Sequence, residues 1–222
     1  MDFQEIELRV KFILSQLNES GDNLICERFV RPYIGDGDIK LVIIGQDPTV
    51  RIPKSRERIT CTLNLNKKGS ALFKYVKHIC HILDITIDNV YATNLFKYFY
   101  SNPPADMISV LRQHLRPNLV LLKDELDGLK LPEICPIITL GEPVLQLLLN
   151  EALPKSQKEM KYYWDYRIST KSSGGCFRYV KAGDNALSHD FYPVSHQPSM
   201  RLEFYRKTID AYLQYVKRTC RV

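Results

Sequence analysis

The sequence predicts one α/β domain built around a mainly parallel β-sheet of about four strands, with helices packed on its faces. Three observations carry this prediction. Short runs rich in Val, Ile and Leu at 39–44, 89–93, 136–140 and 191–194 have the length and apolar character of strands buried on both sides. Segments with apolar residues at helical spacing separate them, so successive strands are joined by crossovers and run parallel. The 222 residues are 45% hydrophobic and 25% charged, which suits a single core and argues against disordered, collagenous and coiled-coil classes.

The spacing of Phe3, Ile6, Leu8, Val10, Ile13, Leu14 and Leu17 predicts an amphipathic helix over 2–18. With the Gly- and Asp-rich stretch 35–38 it forms a helical extension, 1–38, ahead of the first strand. That strand ends in Gly45-Gln46-Asp47-Pro48, a turn placed where open α/β sheets bind their ligands. A loop over 49–68 carries Arg51, Lys54, Arg56, Arg58, Lys67 and Lys68. A helix is expected over 69–83, and the second strand runs into Asn94. A short helix over 109–115, a weak apolar segment at 119–122, the third strand meeting Gly141 and a helix over 143–149 follow. Residues 151–184 are polar and read as an insertion or hairpin rather than a linker, so 1–222 is one domain. The last strand leads into Ser195-His196-Gln197-Pro198-Ser199, and a helix over 202–218 closes the chain.

Several classes are disfavoured. Apolar runs fall far short of the roughly 20 residues that span a bilayer, and Met1 to Glu5 lacks the basic and apolar start of a secretory leader. The expectation is therefore an intracellular protein without membrane association, cytoplasmic in a prokaryote and otherwise nuclear. The six cysteines form no C-x-x-C pair and read as reduced thiols. His78 and His81 flank Cys80 at helical spacing, but two ligands without a third and fourth make packing the better reading, and no metal or cofactor is expected. A net charge of +6 is compatible with a polyanionic partner without requiring one. The cluster 96–100 mixes rings with Lys97 and suits either a core or a nucleic-acid surface, whereas Tyr162, Tyr163 and Trp164 are expected to pack.

A parallel sheet gathers the ends of its strands, which brings Gln46, Asp47, Asn94 and His196 toward one crevice. A carboxylate can orient water and offset positive charge on a sugar. An amide can pair with a base edge, and an imidazole can stabilise charge arriving on a carbonyl oxygen. This set suits hydrolysis of a bond to a nitrogen heterocycle.

Gly45-Gln46-Asp47-Pro48 after a buried strand, followed much later by His196-Gln197-Pro198-Ser199, resembles the paired signature of the uracil-DNA glycosylase superfamily. Tyr91-Ala92-Thr93-Asn94 and Ile138-Thr139-Leu140-Gly141 fit in order between them, and the resemblance covers roughly 39–213. It implies that Asp47 positions the attacking water and stabilises the sugar cation, and that Gln46 helps to form the base pocket. Asn94 would pair with the edge of a flipped base, and His196 would donate to the base O2. It further implies that Pro48, Ser195 and Ser199 grip phosphates, that Pro198 lies at the DNA with them, that Met200 wedges into the base stack and that Arg201 meets a phosphate.

Three departures accompany the resemblance. Thr49 and Val50 stand where the best-known branch has a tyrosine, which blocks the methyl group of thymine, and a histidine. Thr62 aligns with the phenylalanine that stacks on the base, so either a neighbour such as Phe96 replaces it or the base is held less tightly. Gln197 lies between His196 and Pro198. The resemblance implies a monomeric DNA glycosylase without a cofactor, acting on a deaminated base, most simply uracil, in single-stranded or uracil-containing duplex DNA. The alternatives are a nucleic-acid-binding module that keeps the fold without the chemistry, and a hydrolase or binding protein for free nucleosides or nucleotides.

Overall fold

A computed structural model describes residues 2–19, 25–50, 52–101, 108–132, 134–164 and 177–220. The chain opens with helix α1 (Phe3–Glu19) and strands β1 (Ile25–Phe29), β2 (Tyr33–Ile34) and β3 (Leu41–Gly45). Helices α2 (Pro53–Arg56) and α3 (Ala71–Ile82), strands β4 (Val90–Asn94) and β5 (Tyr98–Tyr100), and helix α4 (Ile108–Gly128) follow. The second half holds β6 (Ile137–Leu140), α5 (Glu142–Leu148), α6 (Met160–Tyr163), β7 (Tyr192–Val194) and α7 (Glu203–Cys220).

The main sheet has the order β2-β4-β3-β6-β7. Its four expected strands, β3, β4, β6 and β7, are all mutually parallel, and every one of their residues is buried. Burial on both faces explains their unbroken apolar sequence. The short β2 adds an antiparallel edge against β4, and β1 pairs with β5 in a separate antiparallel ribbon.

Chain direction decides which face each helix covers. The connection from β3 to β4 moves one way across the sheet, while those from β4 to β6 and from β6 to β7 move the other way. Right-handed crossovers then put α3 on one face and α4 and α5 on the opposite face. The packing agrees, because α3 meets α7 whereas α4 meets α1 and α5. Strands β3 and β6 are neighbours whose connections leave in opposite directions, and the crevice beyond their carboxyl ends is the topological switch point.

Several elements differ from the sequence expectation. The segments 109–115 and 119–122 belong to one helix, α4, which runs through Pro117. Burial of Leu111, Leu121, Leu122 and Leu126 outweighs the roughly 3 kcal/mol propensity cost of an interior proline. In the same stretch the Asn118 side chain donates to the His114 carbonyl at 2.9 Å. The loop 49–68 contains α2 and a 3₁₀ turn over Thr62–Asn64. Phe96, Lys97, Tyr98, Phe99 and Tyr100 are all buried, which settles that cluster as core.

Within the segment 151–184, residues 165–176 lie outside the described residues, and the flanks fold onto the body. Val180 bridges Phe191 in antiparallel sense, and Trp164 is fully buried. Its indole Nε1 donates to the Pro193 carbonyl at 2.6 Å, and its ring stacks on Tyr212 with centroids 4.6 Å apart. The segment is thus tied to both β7 and α7. Trp164→Ala is expected to lower stability by roughly 3–5 kcal/mol, read as a lower urea midpoint followed by circular dichroism. A loss under about 1 kcal/mol would show that the indole closes no part of the core.

Candidate functional site

Register places the predicted residues. In the parallel pairing of β3 with β4, Gly45 lies opposite Asn94, and in that of β6 with β7, Leu140 lies opposite Val194. Gln46, Asp47, Asn94, Gly141, Ser195 and His196 therefore all leave the sheet at its carboxyl edge. Strands lie about 4.8 Å apart, so Asn94 is one strand from the Asp47 turn and the His196 loop begins two strands away on the other side. Gly141 lies between, with φ of 96°, a conformation that favours glycine. A Cβ added there would meet the His196 Cβ at 3.5 Å, so the histidine loop folds over the end of β6.

Asp47 is partly buried and held from two sides. Gln46 Nε2 donates to Oδ1 at 2.9 Å, and the Thr49 backbone N–H donates to Oδ2 at 2.7 Å. Burial raises its pKa from the ordinary 3.8 to about 6, while the Thr49 and Gln46 hydrogen bonds and the charge of Arg56 pull the other way. The carboxyl is thus mostly ionised at pH 7 and mostly protonated at pH 5. Thr49 also accepts, at Oγ1, from the Tyr100 backbone N–H at 2.7 Å. The turn after β3 is thereby fastened to β5.

Asn94 is 1% exposed, and neither atom of its amide has a hydrogen-bond partner in the structure. Such an orphan costs about 1–3 kcal/mol and is uncommon in a native interior. A Cβ on Gly45 would lie 2.4 Å from Asn94 Oδ1, so the amide fills the space that the missing side chain leaves. The Leu63 side chain closes on the same spot, with Cδ2 3.4 Å from that Cβ position. Leu63 and Asn64 both have left-handed backbone, φ 54° and 55°, and Asn64 Oδ1 is buried without a partner. Consecutive non-glycine residues in this region store strain of the kind found at functional sites.

His196 is partly buried, and burial lowers its pKa below 6.5, so the ring is neutral at pH 7. It precedes the 3₁₀ turn Gln197–Arg201. Ser195 is 2% exposed, its Oγ has no partner, and its carbonyl accepts from Tyr75 OH at 2.6 Å. Pro48 is buried, Pro198 and Arg201 are exposed, and Ser199 is half-buried. Met200 is half-buried as well and lines a cavity with Tyr75, His78, Arg206, Ile209 and Asp210.

Thr62 is fully buried, and both its N–H and its hydroxyl bond to the Arg31 carbonyl, at 3.0 and 3.3 Å. Its neighbour Leu63 is the residue that faces Gly45 and the Asn94 amide. Phe96 is buried in edge-to-face contact with Tyr98 and Tyr100. Among the basic loop residues, Lys54 and Arg58 are exposed, and Arg51 lies outside the described residues. Arg56 turns inward, donating to the Ser101 carbonyl at 2.5 Å and acting electrostatically on Asp47. In the sequence Arg56 is one of several basic residues of the 49–68 loop, and no spacing signal separates it from the others.

Among the described residues, no group of three or more His, Cys, Asp or Glu could hold a metal ion, and no helix is long and apolar enough to cross a membrane. The chain matches no protein-family model and no curated protein.

Two expectations follow from this geometry. Gly45→Ala forces its methyl group onto the Asn94 amide, and a loss of roughly 1–3 kcal/mol should appear in chemical denaturation. An unchanged midpoint would mean that the amide moves aside freely. For Asp47, the folded state keeps a proton between pH 3.8 and about 6 that the unfolded chain has lost, so stability falls as pH rises through that window. At about 1.36 kcal/mol per pH unit the full penalty approaches 3 kcal/mol, and partial exposure trims it to roughly 1–2. Asp47→Asn should therefore stabilise the fold at pH 7.5 and lose that advantage below pH 4, as measured by urea titration at the two pH values.

Proposed function

We propose that the protein is a DNA glycosylase of the uracil-DNA glycosylase type, hydrolysing the N-glycosidic bond of a flipped, deaminated base. The observation that carries this reading is the buried, unpartnered Asn94 amide one strand away from a desolvated carboxylate at the switch point of a parallel sheet. An amide with a free donor and a free acceptor side by side matches the paired acceptor and donor on the edge of uracil. The base is unreachable inside a duplex, so extrusion precedes chemistry and costs a few kcal/mol, least for a mispaired base or a single strand.

In this reading Asn94 pairs with the everted base while the Gln46-Asp47 turn and Leu63 wall the pocket. Ionised Asp47 orients water and offsets the positive charge that develops on the sugar as the bond to nitrogen lengthens. Neutral His196 donates a hydrogen bond to the base oxygen on which negative charge collects, leaving the released base as its anion. Thr49, drawn toward Tyr100, presents no ring against C5 of the base, so bulkier bases than uracil enter the comparison. Arg201 and the flanking Ser199 offer contacts to phosphate, with the exposed Pro198 and the apolar wedge Met200 beside them. DNA is the partner, and its binding should weaken with salt.

A binding module without turnover is the second reading. It is favoured by the two hydrogen bonds that already occupy both Asp47 oxygens.

The deciding experiment measures release of uracil, hypoxanthine, xanthine and mispaired thymine from single-stranded and duplex oligonucleotides. Uracil release is expected, reduced about 10²–10⁴-fold by Asp47→Asn and by His196→Ala. The rate should fall as pH drops through about 6, because Asp47 takes up a proton there. Met200→Ala should weaken activity on duplex and spare single strands. No release from any of these bases at high enzyme overturns the enzymatic reading, and tight, salt-dependent binding unaltered by Asp47→Asn would replace it with the second.

A further inference from the structure

We propose that a buried ion pair between Lys97 and Glu125 is the device that positions Asn94, so that base recognition depends on two residues that never touch the base. The inference rests on the glycosylase reading for its consequence in activity, and on the geometry alone for the positioning itself. Lys97 is completely buried and Glu125 is 2% exposed. Lys97 Nζ lies 2.7 Å from Glu125 Oε2, an ionic rather than a directional contact, and donates to the Asn94 carbonyl at 2.8 Å. Glu125 Oε1 accepts from Tyr91 OH at 2.6 Å. The pair thus joins the last turn of α4 to two points on β4, the Tyr91 hydroxyl and the peptide of Asn94.

The reason for such a device lies in Asn94 itself. Its amide has no hydrogen bond of its own, so nothing polar fixes the side chain directly, and its direction is set by its backbone and by packing. The chain beyond it is laid against the Asp47 turn, with the N–H groups of Leu95 and Phe96 donating to the carbonyls of Gly45 and Gln46 at 2.8 Å each. The Asn94 carbonyl is the remaining handle, and Lys97 reaches back three residues to hold it. A buried ion pair is weak evidence of a stabilising role, since apolar groups of similar volume usually serve stability as well or better. Its value here is orientation, where an error near 1 Å can cost about a hundredfold in rate. The same segment also supplies the Tyr100 N–H that holds Thr49, which in turn holds Asp47. Both halves of the crevice are braced from residues 97–100.

The test replaces the charged group by apolar residues of similar size, in the variant Tyr91→Phe with Lys97→Met and Glu125→Leu. This variant is expected to fold with an unfolding midpoint near that of the wild type and to lose about 10- to 100-fold in kcat/KM for uracil release. Asn94→Ala should then cost much less in that background than in the wild type, a coupling that a merely structural role would not produce. A folded variant with kcat/KM within twofold of the wild type, or an equal cost of Asn94→Ala in both backgrounds, overturns the proposal. Should the triple variant not fold, Tyr91→Phe alone deletes one hydroxyl. About a threefold loss in kcat/KM is expected from it, and no loss overturns the proposal. If the wild type releases no base, the glycosylase reading falls, and the ¹⁵N signals of the Asn94 side-chain amide decide the positioning claim. Broadened or shifted signals in the variant uphold it, and unchanged signals overturn it.

Discussion

Parallel pairing of β3 with β4 on one side and β6 on the other is the constraint from which the rest of the molecule follows. It sets Gly45 opposite Asn94 and Ile44 opposite Thr139, so three chain segments leave the sheet at one edge. It leaves room for the Asn94 amide only because position 45 carries no side chain. The reversal of connection direction between β3 and β6 makes that edge the topological switch point of the sheet. A single-residue slip between β3 and β4 would turn the buried amide, and every other side chain of β4, to the opposite face of the sheet.

The crevice is built at the expense of stability. Asp47 is desolvated, Asn94 and Ser195 carry unpartnered polar atoms, and Leu63 and Asn64 sit in left-handed backbone. Each is locally unfavourable, and each is tolerated because the surroundings overdetermine it. Trp164, Tyr212 and Phe177 pack together behind β7, while Phe96, Tyr98 and Tyr100 form a second aromatic group beside β3 and β4.

The four parallel strands were readable because complete burial leaves an uninterrupted apolar signature. The amphipathic helices near both ends were readable from their period, although Leu8 faces solvent on α1. Strand β2 is two residues long, and β1 pairs with a distant segment, so neither carries a local pattern. Helix α4 was split by Pro117, a residue whose propensity is overruled only by tertiary packing. At the crevice, the turn after β3, Asn94 and the His196 loop stand out as polar interruptions at strand ends. Arg56, Leu63, Lys97 and Glu125 do not stand out, because an inward-facing lysine is spelled like a solvated one. Alignment points to Thr62 at the site, yet Thr62 is bonded to the Arg31 carbonyl and the left-handed turn brings its neighbour Leu63 beside Gly45.

The lone tryptophan gives the molecule an unlabelled optical reporter. Trp164 is hydrogen-bonded to the Pro193 carbonyl, three residues ahead of His196, and lies flat against Tyr212 of α7. Any occupant of the crevice that shifts β7 alters the polarity and stacking around that indole, and its emission registers the shift without a dye or a modified substrate.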